Sequence, residues 1–273
     1  AEDSVNAAHH AALVSITDQL RERNIGLCGV QESRLLDNGE QMVLGTGWKM
    51  LHSGRADIRQ WGVALLMDKQ WQRAFTGSWT AHSARLLSAR FQLQNGITLT
   101  SIVAYTPTNC SSDADKEQFN LLLASVLGAL PRRDLVVVLG DFNAQIGSGS
   151  LSCSDVQGPH SVQPNTPNDN GMRLLDIASA YQLVIANTLF PHKRIHQYTH
   201  EMRSATGQQG QQRVLDYILV SKRVRSSILD CRTYRGFDRG SSDHYLLVMS
   251  MQLRLSNNRQ QQQPAGSAIG VRY

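Results

Sequence analysis

A short apolar run that ends abruptly in polar residues constrains this chain more than any other feature. Residues 135–139 read Leu-Val-Val-Val-Leu, and Gly-Asp-Phe-Asn follows at 140–143. A short run of β-branched and aliphatic residues predicts a buried strand. Side chains two positions apart on a strand share a face, so we expect Asp141 and Asn143 to point the same way while Phe142 packs on the other side. The pair would then converge on a phosphate or a metal ion at a sheet edge.

The composition permits one large domain. The 273 residues are 41% apolar, enough for a single α/β domain with a substantial core. The formal net charge of +5 suits a polyanionic partner but is also common in proteins that bind none. The four cysteines are widely spaced, without a C-x-x-C pair, which argues against a zinc cluster and favours a reducing compartment. With no membrane-length apolar run and no secretory signal, we expect an intracellular protein, nuclear or cytoplasmic, with no membrane partner.

Hydrophobic periodicity predicts alternating helices and strands. Helical spacing predicts helices near the N-terminus, over 113–130 and over 172–181. Apolar runs predict strands at 25–30, 61–67, 86–93, 97–104, 135–139, 183–186, 213–220 and 245–251. Beyond residue 255 the chain becomes polar, with glutamines at 260–263, which is typical of a linker. We therefore place an α/β domain over residues 1–255 and a polar Gln-rich linker or tail over 256–273.

Two further strand ends carry residues suited to chemistry. Glu32 follows the predicted strand at 25–30, and Tyr105 follows the strand at 97–104. A carboxylate in such a place can bind a metal ion, and a tyrosine hydroxyl can donate to a phosphate oxygen. The alternatives are a surface glutamate and a core tyrosine with its hydroxyl at the rim.

A carboxylate and a histidine in separate segments form a candidate pair. Asp216 lies inside an apolar segment, where a buried carboxylate must have a partner. His244, beside Asp243, comes directly before the strand at 245–251. A histidine that acts as a general base needs an orienting carboxylate to fix its tautomer, so Asp216 is a candidate for that role. A structural ion pair is the other interpretation.

Two polar segments carry candidate phosphate-binding arginines. Arg55 and Arg59 lie in the first, at 53–60, and Arg194 lies in the second, at 192–213. These side chains could contact a nucleic-acid backbone, although loop arginines are more often simply solvated. The second segment is the most plausible nucleic-acid-facing loop, and a disordered excursion would have the same composition.

Two histidines in the second segment have the spacing of a metal pair. His196 and His200 are four residues apart, which on a helix would place both side chains on one face. The intervening residues, which include Tyr198 and Thr199, do not favour a helix. We therefore reject a helical metal site formed by these two histidines.

Five of these segments resemble, in order, motifs of the endonuclease/exonuclease/phosphatase superfamily. They are Gln-Glu-Ser-Arg at 31–34, Tyr-Thr-Pro-Thr-Asn at 105–109, Gly-Asp-Phe-Asn at 140–143, Leu-Asp-Tyr-Ile-Leu-Val at 215–220 and Ser-Asp-His at 242–244. Within that superfamily, Gly-Asp-Phe-Asn-Ala-Gln-Ile-Gly at 140–147 and Asn-Thr-Leu-Phe at 187–190 look like the endonuclease domain of non-LTR retrotransposons, which continues through a linker into a reverse transcriptase. The resemblance covers most of the chain, from about residue 25 to residue 251.

The resemblance implies a fold and an activity. The fold is a four-layer α/β sandwich of two packed mixed β-sheets flanked by helices, with strand ends meeting in one cleft. The activity is metal-dependent nicking of duplex DNA that leaves a 3′-hydroxyl and a 5′-phosphate, with DNA as the partner and a C-terminal reverse transcriptase in a longer polyprotein. Mg²⁺ is the expected ion and Mn²⁺ a substitute, with Glu32 as a ligand and Asp243 assisting at the metal or the base.

The resemblance also implies roles for the remaining site residues. Tyr105 would contact the scissile phosphate and Asn143 would hold it. Asp141 would align or deprotonate the attacking water. His244, oriented by Asp216, would stabilise the pentacovalent charge or act as the base, and the resemblance leaves the choice of general base open.

One expected element is missing from the start of the sequence. Members of the superfamily begin with a strand ending in an asparagine that joins the metal and phosphate network, whereas this sequence starts in the following helix, and Asn6 lies in the wrong context to replace it. We therefore expect a site without one member and a sheet without one inner strand, with two exposed strand edges. The alternatives are a truncated or domesticated copy that binds DNA without cutting, an abasic-site nuclease, a phosphoinositide phosphatase and a purely structural domain.

Overall fold

A computed structural model describes residues 2–148, 155–162, 166–202, 210–238, 240, 242–253 and 267–272. The α-helices span Glu2–Glu22 (α1), Lys69–Ala74 (α2), Asp113–Ala129 (α3) and Asp169–Ala180 (α4). The strands span Ile25–Gln31 (β1), Asn38–Val43 (β2), Trp48–Ser53 (β3), Val63–Met67 (β4), Phe75–Ser83 (β5), Leu86–Gln92 (β6), Thr98–Tyr105 (β7), Leu135–Asp141 (β8), Leu183–Ile185 (β9), His200–Glu201 (β10), Gln212–Arg213 (β11), Asp216–Ser221 (β12), Ile228–Tyr234 (β13), Leu246–Met251 (β14) and Ser267–Arg272 (β15).

The strands form two large mixed sheets. The seven-stranded sheet has the order β13-β14-β15-β1-β4-β3-β2, and the six-stranded sheet has the order β5-β6-β7-β8-β12-β9. Strand β1 is parallel to β15 in the first sheet, and β7 is parallel to β8 in the second. Strands β10 and β11 form a separate antiparallel ribbon.

Three buried clusters give the fold four layers. Between the sheets, Leu27 of β1 packs in one cluster with Leu139 of β8. On the outer face of the seven-stranded sheet, Leu20 of α1 joins Cys28 of β1. On the outer face of the six-stranded sheet, residues of α3 and α4 pack on residues of β8 and β12, with Phe142 among them. This order of helix, sheet, sheet and helices confirms the predicted four-layer sandwich.

Helices α3 and α4 begin where a polar side chain caps an N–H group of the first turn. Ser112 accepts from the N–H of Asp115 at 3.1 Å, and the helix that follows, α3, confirms the prediction over 113–130. Asn168 accepts from the N–H of Gly171 at 2.7 Å, so α4 begins three residues before the predicted start at 172. In the described part of the chain, no helix is long and apolar enough to cross a membrane.

The C-terminal segment departs from the sequence prediction. Residues 256–273 were expected to form a linker, yet β15 occupies 267–272 and pairs with β1 on one side and β14 on the other. Val271 lies opposite both Gly29 and Leu247, so the expected exposed edges of β1 and β14 are absent. The prediction was wrong here because a short Ala-Ile-Gly-Val stretch behind a glutamine run carries little strand signal, and its pairing partners lie far away in sequence.

The polar segment at 192–213 is ordered in its described part. Tyr198, Thr199 and His200 are buried, and β10 pairs with β11. His196 lies in a 3-10 helix over Arg194–His196 that ends before β10, which confirms that His196 and His200 do not share a helix face.

Candidate active site

Strand register brings three predicted site residues together at one edge of the six-stranded sheet. Tyr105 and Asp141 are the last residues of β7 and β8, and Asp216 is the first residue of β12. Parallel pairing sets Tyr105 opposite Asp141, and antiparallel pairing sets Asp141 opposite Asp216. The three residues are 7%, 3% and 0% exposed, respectively. Their relative positions therefore follow from the backbone ladder.

The seven-stranded sheet supplies the facing residues. Glu32 follows β1, and its Oε1 accepts a hydrogen bond from the Tyr105 hydroxyl at 2.6 Å. His244 lies just before β14, and its Nδ1 is 3.2 and 3.1 Å from the two carboxylate oxygens of Asp216. The predicted placement of Asp216 behind His244 is thus confirmed. These contacts join the two sheets across the cleft.

Asn143 reaches Asp141 through a turn. Strand β8 ends at Asp141, and Asn143 has left-handed backbone with φ 46°. Its N–H donates to Oδ1 of Asp141 at 2.8 Å, and its carboxamide donates to the carbonyl of Thr106 at 3.0 Å. The expected strand alternation is wrong at this position because the strand stops one residue after Gly140, whereas Phe142 does pack on the far side, in the core with α3 and α4.

Three residues near the cleft hold backbone conformations that their side chains disfavour. Glu32 and Arg34 each have φ 51°, and Trp61 has φ 66°. Glutamate, arginine and tryptophan rarely adopt the left-handed region, at a cost of about 1–3 kcal/mol each. The N–H of Arg34 donates to the carbonyl of Trp61 at 2.8 Å, so the two strained segments hold one another. Such strain clusters at functional sites.

Arg85 is a cleft residue that the sequence did not indicate. Its guanidinium lies over the rings of Trp61 and Tyr105, with 4.2 and 4.7 Å to the ring centroids. It also donates to the carbonyl of Tyr105 at 3.2 Å. Burial lowers the pKa of Arg85 from its ordinary value, yet a guanidinium remains charged in proteins. A single arginine after a turn has no local signature, so only long-range contacts reveal its position.

The three predicted phosphate-binding arginines lie in different surroundings. Arg55 is paired with Asp57 at 2.6 Å and lies over the Trp61 ring at 5.3 Å, which places it next to the Arg85 stack. Arg59 is half-buried. Arg194 donates to the hydroxyl of Tyr198. Their binding of DNA stays a prediction.

The cleft raises the pKa of some of its titratable groups and lowers the pKa of others. Burial raises the pKa of Asp141, and the neighbouring Asp216 raises it further. Burial alone would lower the pKa of His244, but Asp216, Asp141 and Asp243 together raise it to about 9. A hydrogen bond from His200 lowers the pKa of Asp243 to about 2. At neutral pH His244 is therefore an imidazolium ion and Asp243 a carboxylate.

The oxygen donors at the cleft fit a divalent cation. The side chains of Glu32 and Asp243 are 41% and 52% exposed at its mouth, and the carboxyl of Asp141 lies deeper. Glu32 and Asp216 both raise the pKa of Asp141 by like-charge repulsion, which a bound dication would relieve. Carboxylates of this kind are the donors that hard cations prefer.

Comparison with known proteins agrees with this geometry. The family model described as "Endonuclease/Exonuclease/phosphatase family" matches residues 4–244. The chain is 30% identical to "Craniofacial development protein 2" of Tragulus javanicus over 254 residues, which cover 92% of this chain and 42% of that relative. The same protein of Bos taurus is also 30% identical, with 92% and 40% covered. The chain thus spans about two fifths of the length of these curated relatives.

Solved structures share the fold. AP endonuclease LMAP from Leishmania major superposes with a TM-score of 0.60 at 13% identity, covering 89% of this chain and 81% of that one. The 3′ phosphatase NExo from Neisseria, bound to a product DNA hairpin, superposes with a TM-score of 0.59 at 20% identity, covering 86% and 92%. The match of the family model over most of the chain, together with this fold, shows that the chain belongs to the endonuclease/exonuclease/phosphatase family.

Proposed function

We propose that this protein is a Mg²⁺-dependent phosphodiesterase that nicks duplex DNA and leaves a 3′-hydroxyl and a 5′-phosphate. The observation that supports this proposal most strongly is the contact between His244 and Asp216, which joins the two sheets at 3.1 Å. Asp216 is the strand partner of the buried Asp141, whose charge also acts on His244. A purely structural domain would not need a buried acid, a histidine paired with a second buried acid, and exposed carboxylates at one cleft. The net charge of +5 suits a polyanionic substrate such as DNA. We expect Mn²⁺ to support the reaction in place of Mg²⁺.

The charge states assign the chemical steps. When bound by Glu32 and Asp243, the cation would neutralise charge on the phosphate and on the leaving 3′ oxygen. The His244 imidazolium would stabilise the additional charge on the pentacovalent phosphorus, because Asp216 keeps it protonated at neutral pH. Burial and Asp216 raise the pKa of Asp141 to about 8 in the metal-free protein, and a bound dication would lower it, so that the ionised carboxylate would align the attacking water and accept its proton.

Two neutral groups would position the phosphate. The buried Tyr105 hydroxyl keeps its proton, because burial and the hydrogen bond to Glu32 raise its pKa, so it could donate to a phosphate oxygen once it turns away from Glu32. The Asn143 carboxamide, which is held by the Thr106 carbonyl at 3.0 Å, lies beside Asp141 and can contact the same phosphate. The hydrogen bonds of Tyr105 to Glu32 and of Asn143 to Thr106 position both side chains before substrate binds.

The finer form of the proposal is target nicking for a non-LTR retrotransposon, with a reverse transcriptase in a longer polyprotein. The wording of the motifs at 140–147 and 187–190 supports it. We also propose a nuclear or cytoplasmic location, because the four widely spaced cysteines suit a reducing compartment.

A plasmid assay tests the activity. Purified protein is incubated with supercoiled plasmid in Mg²⁺ or in a chelator, and nicks are then offered to DNA ligase, which reseals only a 3′-hydroxyl beside a 5′-phosphate. We expect ligatable nicks in Mg²⁺ alone, and a loss of about 10²- to 10⁴-fold in Asp141→Asn and His244→Ala. The matched control is His192→Gln, since His192 also contacts an aspartate, Asp230, at 2.7 Å but outside the cleft.

The same preparation distinguishes the alternatives. Equal nicking by the wild type and both cleft variants would contradict the assignment. Absence of nicking with retained DNA binding would favour a non-cutting copy. An abasic duplex oligonucleotide and a phosphoinositide, tested in parallel, would identify an abasic-site nuclease or a phosphatase by a faster rate on that substrate than on plasmid.

A further inference from the structure

The imidazole of His200, which is a side chain of a type that can bind metal ions, lies beside His244 and Asp243. The proposed reaction does not use it. His200, in β10, forms an antiparallel bridge with His244. The N–H of Glu201 donates to the carbonyl of Asp243 at 3.0 Å, and the N–H of Tyr245 donates to the carbonyl of Thr199 at 2.7 Å. The segment around His200 is therefore fixed by backbone hydrogen bonds against the segment that carries the site.

The three side chains converge. His200 is 8% exposed, and its Nε2 lies 3.0 Å from Oδ2 of Asp243. The His200 and His244 rings meet edge to face with 4.8 Å between their centroids. One ligand atom from each of the three residues lies within 4.8 Å of the others. Ligands of a four-coordinate zinc ion are about 3.4 Å apart, so closure around an ion needs movements of only about 1 Å.

The ring of His244 is already oriented for such an ion. Its Nδ1 contacts the carboxylate of Asp216 at 3.1 Å, while its Nε2 lies 3.9 Å from Oδ1 of Asp243. Metal-binding histidines characteristically contact a carboxylate through the second ring nitrogen. Thr199, next to His200, also accepts from the N–H of Asp216 at 3.1 Å, so the two histidines are anchored to the same strand start.

We propose that His200, Asp243 and His244 form a site for a borderline transition-metal ion such as Zn²⁺. Two imidazole nitrogens and one carboxylate oxygen are a donor set of three-ligand zinc sites, in which water occupies the fourth position. Mg²⁺ prefers oxygen donors, so the two imidazoles select against it.

An ion at this site changes the cleft. It takes Asp243 from the oxygen donors available to Mg²⁺, and it displaces the proton on Nε2 of His244 to solvent, so that this ring can no longer act as an imidazolium ion. Zn²⁺ is therefore an inhibitor of the Mg²⁺-dependent reaction, a consequence that rests on the proposed function, whereas the binding itself does not.

Calorimetry of Zn²⁺ binding to the full chain, in excess Mg²⁺, tests the site. The variant is His200→Gln, because glutamine keeps an N–H donor for Asp243 but offers no imidazole. We expect the wild type to bind one Zn²⁺ per chain. The variant should bind it more than about 100-fold more weakly, which is a larger loss than removal of a residue that only contacts a metal ligand would cause. His192→Gln is the control and should bind Zn²⁺ like the wild type. Equal binding by His200→Gln and the wild type, or no binding by the wild type, would overturn the proposal.

A second measurement does not depend on the folding of a variant. X-ray absorption of the Zn²⁺-loaded wild type should show scattering from two imidazole rings, and coordination by oxygen alone would rule the site out. In the plasmid assay, Zn²⁺ should inhibit the wild type more strongly than His200→Gln, and equal inhibition would contradict the proposed blocking of His244. A protein that binds Zn²⁺ through two imidazoles but never nicks DNA would retain this site and refute only the proposed function.

Discussion

The two sheets hold their halves of the cleft in different ways. On the six-stranded sheet, Tyr105, Asp141 and Asp216 are neighbours in the strand ladder and are at most 7% exposed. On the seven-stranded sheet, Glu32 and Asp243 lie beyond strand ends, and their side chains are 41% and 52% exposed. The first half sets proton affinities in a buried environment, and the second presents exposed oxygen donors. Substitutions should therefore act very differently on the two halves.

The largest effect is expected from Asp216→Asn. The asparagine side chain is almost the same size as that of aspartate, but the change removes the carboxylate that contacts His244 at 3.1 Å. Replacing the corresponding carboxylate in serine hydrolases costs about 10⁴ in rate, and we expect a loss of nicking of about 10³- to 10⁴-fold here. NMR titration should also show a lower pKa for His244, since Asp216 raises it in the wild type. Asp230→Asn, which alters the His192 pair, is the control, and a similar loss in both would contradict the comparison.

The next effect concerns the seven-stranded sheet as a whole. Ile269→Pro places a proline in β15, between Leu27 of β1 and Met249 of β14. Proline inside a sheet removes a ladder hydrogen bond and is excluded from inner strands, so we expect the free energy of unfolding to fall by about 3 kcal/mol or more. Denaturant melts of this variant and of Ile269→Val measure it. Equal stability of the two would show that β15 does not support the sheet.

A smaller effect is expected from pH, in metal-free protein. The folded pKa of His244, about 9, lies above the ordinary value of 6.5, so its stabilising contribution is full below pH 6.5 and is lost as pH rises through 9. We expect a loss of about 2–3 kcal/mol between these limits. Denaturant melts across this pH range should show the decline in the wild type and a flatter profile in His244→Gln. Parallel profiles would mean that the contact between His244 and Asp216 does not stabilise the proton on His244.

The smallest effect is expected from Arg34→Ala on the exposed half. Arg34 pairs with Glu32 at 3.0 Å, but the two side chains are 63% and 41% exposed. Solvent-exposed pairs contribute about 0–1 kcal/mol, so we expect a change in unfolding free energy of less than about 0.5 kcal/mol. Thermal melts provide the measurement. A loss comparable to that of a buried charge would show that the mouth of the cleft is less solvated than its exposure indicates.

The fold and the cleft differed in how far sequence could predict them. Asp141 and His244 were predictable because polar residues beside short apolar runs mark strand ends, where sheets present their chemistry. Asp216 was predictable as a buried carboxylate that needs a partner, although the prediction placed it inside a strand at 213–220 and it is the first residue of β12. Arg85 and His200 were not, since their positions arise from contacts with Trp61, Tyr105 and His244 that leave no local pattern. Strand β15 was missed for the same reason, and Asn143 because a left-handed turn replaced the expected alternation.

The position of β15 also sets the order of assembly. Pairing of Leu27 with Ile269 joins residues that are far apart in the sequence. The β1–β15 pairing at the centre of the seven-stranded sheet therefore has a larger sequence separation than the other strand pairings described in that sheet. Such contacts form slowly, because a long loop must close before they contribute any stability. During synthesis, β1 and β14 must wait for residues 267–272 to be translated. Until then both unpaired edges are open to other strands, so the interval before closure is when the chain is most prone to aggregate.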